Sequence, residues 1–373
     1  MLITNELVKE AARSVGVTQI GVTTPEPLLY MRQRLQRRLN EGRATPFEES
    51  NPDKRLSPNL LLKSCRSIIT LAVPYAAPDG PEIADYNGPR GTVARCARSV
   101  DYHLLVENKA GLVAEAIRKQ AGVNFKDRIL SDRSPLLERE LARNSNLGLV
   151  GENCTLINNR YGSYTALGTI LTDMEITPDR ADGRACQQCG ECRRACPTGA
   201  LTEPYIINPH LCRSYLTQAS GVVPLEMRPL IGSHIYGCDL CQEACPHNQA
   251  VEHAPYPELA FFFFPARPLL LPLLQVTRKE FDSSIALTSA GWRGKTNLQR
   301  NAVIALGNSR DRTAAGSLAF LLENDPRPLI RQHAAWALGQ LGGDKSIFSL
   351  AKSRKNDPET AVRKEAERAL EQS

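Results

Sequence analysis

The sequence predicts an α/β core, then a ferredoxin-like segment built for two [4Fe-4S] clusters, then a C-terminal domain of HEAT-like α-helical repeats. Three observations predict it. Helix and strand patterns mix through the first 180 residues, eight cysteines with iron–sulfur spacing lie between positions 186 and 245, and an apolar helical pattern recurs every 32 residues near the C-terminus. At 373 residues the chain is too long for one ordinary core, so two or three domains are expected. The division read from the sequence is 1–180 for the α/β core, 181–250 for the cluster segment, 251–285 for a connection and 286–373 for the repeats.

In the first part, "ELVKEAARSVG" has helical spacing at Leu7, Val8, Ala11, Ala12 and Val15, with Gly16 as its stop. "TQIGVTT" and "SIITLAVPY" read as strands, and "DYHLLVENKAGLVAEAIRKQ" reads as a long helix. "KDRILSD" is a short strand with Asp132 at its end. "SPLLERELAR" reads as a helix with Ser134 at the N-cap and Pro135 at the first helical position. "GSYTALGTILTD" reads as a β segment entered through a turn. No G-x-G-x-x-G or Walker sequence appears, so nothing argues for a nicotinamide or a nucleoside triphosphate.

Seven of the eleven cysteines form two runs: Cys186-x2-Cys189-x2-Cys192-x3-Cys196-Pro197 and Cys238-x2-Cys241-x3-Cys245-Pro246. The first is the bacterial ferredoxin pattern, in which three cysteines hold one cluster and the fourth reaches a second. The second run lacks an early cysteine: Ile235 stands where symmetry would place it, and Cys212 is the natural substitute. Cluster one is therefore assigned Cys186, Cys189, Cys192 and Cys245, and cluster two Cys212, Cys238, Cys241 and Cys196. A zinc ribbon built from C-x2-C pairs would leave the crossed spacing and the two Cys-Pro endings unexplained. Cys65, Cys96 and Cys154 remain, and small buried hydrophobes are the ordinary reading of such residues.

The tail repeats itself in "LQRNAVIALGN", "IRQHAAWALGQ" and "VRKEAERALEQ", with Asp325-Pro326 and Asp357-Pro358 opening new units at the same period. The net charge is +6, and residues 291–373 carry 14 Lys and Arg against 9 Asp and Glu. Most of the excess sits there, as for a polyanion partner, although a helical cap with a solvated face would look similar. Arg293, Lys295, Asn297 and Arg300 stand at the entrance of the repeats as candidate contacts to a nucleic-acid backbone. No export signal is read at the N-terminus, and the longest apolar stretch is broken by prolines and Arg267. A cytoplasmic location is expected, where stable disulfides are uncommon.

These motifs together resemble the epoxyqueuosine reductase family. The resemblance is carried by "GTVARCARSVDYH", "SDRSPLLERELA", "LGLVGENCTLI", the eight cysteines with "IYGCDLCQEACPHN", and "WRGKTNLQRNAVIALGN". In "GLVGENC" the chain has Glu152 and Cys154 where the family more often has lysine and threonine, and Cys96 stands at a position that is often aromatic. The resemblance implies that the α/β part is a cobalamin-binding core like that of reductive dehalogenases. It also implies reduction of the epoxide of epoxyqueuosine to queuosine at the wobble position of tRNAs with GUN anticodons, those for aspartate, asparagine, histidine and tyrosine, as the last step of queuosine biosynthesis.

On that resemblance, Arg55, Cys96, Asp132, Asn153, Ser163 and Ser214 are candidate cobalamin contacts. Co(I) is expected to attack an epoxide carbon, with the clusters passing electrons singly from a low-potential donor. Asp132 is the candidate proton donor, and burial beside the corrin is expected to raise its pKa and keep it protonated. His103 is read as structural. A monomer is expected. Two other readings compete: a dehalogenase-like cobalamin and iron–sulfur reductase acting on a small molecule, and a plain electron carrier with repeats for a protein partner.

Overall fold

The structure is a computed structural model, and it describes residues 2–77 and 87–372. The chain forms two compact units, each assembled from three separate segments: 1–78, 101–210 and 240–260 in the first, and 79–100, 211–239 and 261–373 in the second.

The first unit is built on a four-stranded sheet. Strand Ser67–Pro74 is buried along its whole length, as its β-branched run "IIT" and the apolar "LAVP" require. It pairs antiparallel with Ile20–Thr23 on one side and Thr165–Thr172 on the other, and Asp127–Ser131 closes the far edge against Thr165–Thr172. The strands thus follow the sequence reading, and every pairing in this sheet is antiparallel. Helix Asn5–Ser14 is capped by the Thr4 hydroxyl and turns inward with Val8, Ala11 and Ala12; Gly16, with φ +76°, lies just beyond its end. It packs against helix Tyr102–Ala121, which also lies on strand Thr165–Thr172.

One glycine sets that approach. A Cβ at Gly168 would come within 2.7 Å of Val106 Cγ1. Gly168 also pairs with Ser131, the last residue of the edge strand. The first turns of helix Tyr102–Ala121 and the end of strand Asp127–Ser131 are therefore brought to the same part of the sheet.

The segment after that strand departs from the sequence reading. The expected helix begins at Glu138 rather than Pro135 and runs to Asn144. Ser134 is no N-cap. Its N–H donates to the Ser131 carbonyl, and its hydroxyl donates to Glu138 and accepts from the Leu136 N–H. The chain makes a polar turn over residues 132–134 before Leu136 and Leu137 enter the apolar cluster around Leu56 and Leu141.

The second unit contains the helical repeats Gly294–Ser309, Ala315–Asn324, Pro328–Leu341, Asp344–Asn356 and Thr360–Glu371. Their inner faces bury Ala302, Leu306, Ala334, Leu338, Val362 and Ala366 in one core. The 32-residue period has a packing counterpart. A Cβ at Gly307 would lie 2.8 Å from the Trp336 ring, and one at Gly339 would lie 2.8 Å from Ala369 Cβ. The repeated Asp-Pro corners are polar joints, where Asp325 accepts from the Arg327 N–H and Asp357 holds the buried Arg331 guanidinium at 2.8 Å.

Candidate functional site

Two polar sites stand out in the first unit. One forms where helix Tyr102–Ala121 begins. Asp101 caps it, accepting the His103 N–H at 3.1 Å, and the same carboxylate oxygen bonds His103 Nδ1 at 2.6 Å. The other ring nitrogen, Nε2, bonds one carboxylate oxygen of Asp132, and the Tyr102 hydroxyl donates to the other. The Tyr102 and His103 rings stack at 4.2 Å. The result is a continuous chain of hydrogen bonds, Asp101–His103–Asp132–Tyr102. His103 is mostly enclosed, and the Asp132 side chain is 46% exposed.

The electrostatics correct one expectation and extend another. Burial alone would push His103 down, but bonds to two carboxylates outweigh it and hold its pKa at about 9. Burial would push Asp132 up, yet the hydrogen bond and positive charge of His103, joined by the Tyr102 hydroxyl, bring it below the ordinary carboxylate range. Asp132 is thus an ionised partner of an imidazolium, not an isolated protonated acid. His103, read as structural, is bonded directly to Asp132. Nearby, burial raises the Glu138 carboxyl to about 8, opposed by the Ser134 hydroxyl.

The second site is a recess lined by Cys186, Cys189, Cys192 and Cys245, the four residues assigned to cluster one from their spacing. Leu149, Ile157 and Cys245 form an apolar patch there, with Cys186 packed against it. Burial, aided by the charge of Glu152, pushes the Cys192 thiol up to about 11. A thiol in such surroundings becomes a thiolate only when a cation replaces its proton. Four cysteines around one recess, unlike a mixed nitrogen and oxygen set, suit iron–sulfur ligation. These residues fit a [4Fe-4S] cluster.

The cysteines assigned to cluster two are placed by local structure. Cys196 precedes Pro197, which has no N–H. Burial raises its thiol, but the Thr198 hydroxyl and the N–H groups of Thr198, Ala200 and Leu201 more than compensate and bring it below the ordinary thiol value. Cys241 lies on the short helix Leu240–Glu243, and its carbonyl accepts from Asn153 Nδ2 at 3.4 Å. In the second unit, Cys212 stands at the N-cap of helix Arg213–Gln218, and Cys238 follows strand His234–Tyr236.

The remaining sequence candidates fall in different settings. Arg55 pairs with Glu48 at 2.6 Å, while its Nε is buried without an acceptor among the described residues. The amide carbonyls around a corrin are acceptors of the kind that atom lacks, so Arg55 fits such a group. Asn153 lies on the wall of the cysteine recess, its Oδ1 held by Thr155. The Ser163 hydroxyl is engaged by Gln242 and Asn248. In the second unit, Ser214 accepts from the Gln218 amide, and Cys96 packs against the core while its carbonyl accepts from Ser289.

At the entrance to the repeats the structure corrects two expectations. Arg300 is 1% exposed, and its guanidinium donates to the carbonyls of Leu216, Thr217, Ala219 and Gly221. Asn297 is also buried and donates to Gln218 and Ala219. Both satisfy carbonyls left open where helix Arg213–Gln218 ends, so neither is available to a phosphate. The signal was in the sequence: Asn297, Arg300, Ile304 and Asn308 form one helical stripe, and Ile304 marks it as the inward face. Arg293 and Lys295 are half-buried, donating to the Gln218 and Val276 carbonyls, and the Arg293 guanidinium lies 4.7 Å from the centre of the half-exposed Trp292 ring.

A cysteine recess shaped for a cluster, a bonded acid–imidazole pair and a helical-repeat domain define an iron–sulfur redox enzyme that also carries helical repeats. Three family descriptions match in order: epoxyqueuosine reductase QueG over residues 55–132, a 4Fe-4S double cluster binding domain over residues 185–248, and HEAT repeats over residues 293–371. The second spans all eight assigned cysteines. The epoxyqueuosine reductase of Bacillus subtilis is 36% identical over 335 residues, covering 89% of this chain and 86% of that one. That of Lactococcus garvieae is 36% identical over 338 residues, covering 90% and 95%. A crystal structure of an epoxyqueuosine reductase with an epoxyqueuosine-modified tRNA-Tyr stem loop superposes with TM-score 0.92 at 33% identity, covering 98% of each chain. A Bacillus subtilis structure, described with its aspartate-bearing catalytic loop swung out of the active site, superposes with TM-score 0.91 at 34% identity, covering 98% of each chain. The chain belongs to the epoxyqueuosine reductase family.

Proposed function

We propose that this chain reduces epoxyqueuosine in tRNA to queuosine, with Asp132 as the group that meets the epoxide oxygen and His103 as the positioning residue behind it. The observation that carries the assignment of roles is the hydrogen-bond chain Asp101–His103–Asp132–Tyr102 at the mouth of the polar turn. The stem-loop complex of the related reductase supports tRNA as the substrate, and the catalytic aspartate loop of the Bacillus subtilis protein supports Asp132, which also lies in a loop.

Converting the epoxide to an alkene takes two electrons and two protons and releases the oxygen as water. A corrinoid, when bound, supplies the nucleophile that opens the ring. Arg55, whose buried Nε lacks an acceptor among the described residues, would hold its periphery. The eight cysteines would hold the two clusters that bring electrons singly. The oxygen released from a ring carbon develops alkoxide character and needs a proton. The pair shared between Asp132 and His103 holds one at neutral pH, because His103 keeps its proton to about pH 9. His103 Nε2 passes its proton to Asp132, which hands it to the oxygen, while Asp101 holds the ring from the other side and stabilises the imidazolium before the transfer. Half exposure of Asp132 leaves its carboxylate accessible to a substrate.

For tRNA, an anticodon loop already presents unpaired bases, so little unstacking is needed. The half-exposed Trp292 with Arg293 over its ring offers a stacking face beside a cation, and Lys295 adds a second positive charge. The chain carries no helix among the described residues that is long and apolar enough to cross a membrane. The test is anaerobic incubation of cobalamin-loaded protein with epoxyqueuosine-containing tRNA and a low-potential reductant. Nucleoside mass spectrometry is expected to show loss of one oxygen. Intact substrate, with all cofactors bound, would refute the assignment.

A further inference from the structure

Two polar side-chain atoms in the wall of the cysteine recess have no hydrogen-bond partner among the described residues. Glu152 is 4% exposed, and its Oε2 is buried without a hydrogen bond; no ion pair to it occurs among the described residues. His247 Nε2 is likewise buried and unbonded. Both residues line the recess beside Cys186, Cys189, Cys192 and Cys245. They are held there by backbone. The Glu152 carbonyl accepts from the Tyr205 N–H at 3.0 Å, and the His247 N–H is directed at Cys245. Gly151 permits the turn, since a Cβ there would lie 2.7 Å from both Asn153 Oδ1 and Ile157 Cδ1.

An unpaired buried polar atom is costly unless something else satisfies it. A cluster in this recess would offer sulfur acceptors. His247 Nε2–H can donate to one of them. A carboxylate can only add negative charge, and that charge already bears on Cys192. Cluster potentials respond to both influences: hydrogen bonds to sulfur favour the reduced cluster, and nearby negative charge disfavours it. We infer that Glu152 and His247 set the reduction potential of the first cluster in opposite directions, Glu152 lowering it through its charge and His247 raising it through a hydrogen bond to a cluster sulfur. Such opposed settings would place the first cluster relative to the second along the electron path. The inference rests on reading this recess as an iron–sulfur site, which iron and sulfide content tests separately.

The experiment uses the full chain with both clusters reconstituted, iron and sulfide counted, and reduction followed by EPR in a potentiometric titration. Glu152→Gln removes the charge at nearly constant shape, and His247→Leu removes the donor. Glu152→Gln is expected to raise the first cluster's midpoint, and His247→Leu to lower it. Each change is expected to reach about tenfold in the reduction equilibrium, about 59 mV for one electron. The second cluster serves as the internal reference and is expected to move less. If Glu152→Gln fails to assemble the first cluster, Glu152→Met carries the same test. Loss of both clusters from the unmodified protein would remove the iron–sulfur reading itself. Full cluster content with unmoved midpoints overturns the inference. So does a shift of both variants in the same direction, which solvent entry alone would produce.

Discussion

Replacing Asp101 by asparagine isolates the charge that holds His103 protonated. Asparagine caps a helix as well as aspartate does, so helix Tyr102–Ala121 keeps its start, and only the carboxylate's charge is lost from His103 Nδ1. In the native chain the imidazole stands at about 9 instead of 6.5, because two carboxylates bond it. That difference is worth at most ~3.4 kcal/mol between the two protonation states, and less in practice because Asp132 is half exposed and its charge is screened. A neighbouring opposite charge typically moves a pKa by about 1 to 3. Asp101→Asn should therefore bring His103 down by at least ~1. Asp132 and His103 titrate as a pair, so the observable is a macroscopic one. The assay is the pH dependence of turnover on a modified stem loop, read as nucleosides by mass spectrometry. Native activity is expected to hold on the alkaline side until about pH 9 and then fall, with the variant falling at least ~1 pH unit earlier. The sign for stability agrees: a raised folded pKa stabilises below pH 6.5 and is lost as pH rises through about 9. Alkaline limbs that coincide in the two proteins would refute the coupling of Asp101, His103 and Asp132.

Three further predictions concern the second unit. Arg300→Met removes a donor from four carbonyls, of which Ala219 and Thr217 keep one from Asn297 and Asn301, and should cost about 2–4 kcal/mol in denaturant unfolding, while the salt dependence of tRNA binding stays unchanged; a flatter salt slope would return Arg300 to the nucleic-acid interface. Glu365→Ala strands the buried Arg228 guanidinium, which the carboxylate holds at 2.9 and 3.2 Å, and should cost about 3–5 kcal/mol by the same measurement; a loss below about 1 kcal/mol would show that the pair contributes little. His333 is fully buried and neutral, accepting the Val223 N–H while bonding the Leu329 carbonyl, and burial takes its pKa down to about 3. The unfolded chain binds that proton below pH 6.5, so stability should fall as pH drops from 6.5 towards 3, and His333→Gln should flatten the fall in melting temperature over that range.

The sequence by itself determined the elements and the cysteine set. Strand and helix periods report burial directly, and the spacing Cys186-x2-Cys189-x2-Cys192 with Cys245 anticipated the four residues that line one recess. The 32-residue period anticipated the repeats, and the structure adds that Gly307 and Gly339, 32 positions apart, let neighbouring helices approach through their missing Cβ. What the tertiary structure decided was the company each polar residue keeps. Asp132 and His103 are 29 positions apart, and only the pairing of Ser131 with Gly168, under the start of helix Tyr102–Ala121, brings them together. That contact turned Asp132 from a buried neutral acid into a carboxylate held by an imidazolium. Arg300 looked like a phosphate ligand because its charge is visible in the sequence, whereas the carbonyls that consume it belong to a helix end some 80 residues earlier. Period and spacing are local properties that one strand of text can carry. A pKa, or the destination of a guanidinium, is set by groups that only the folded chain places within a few ångströms.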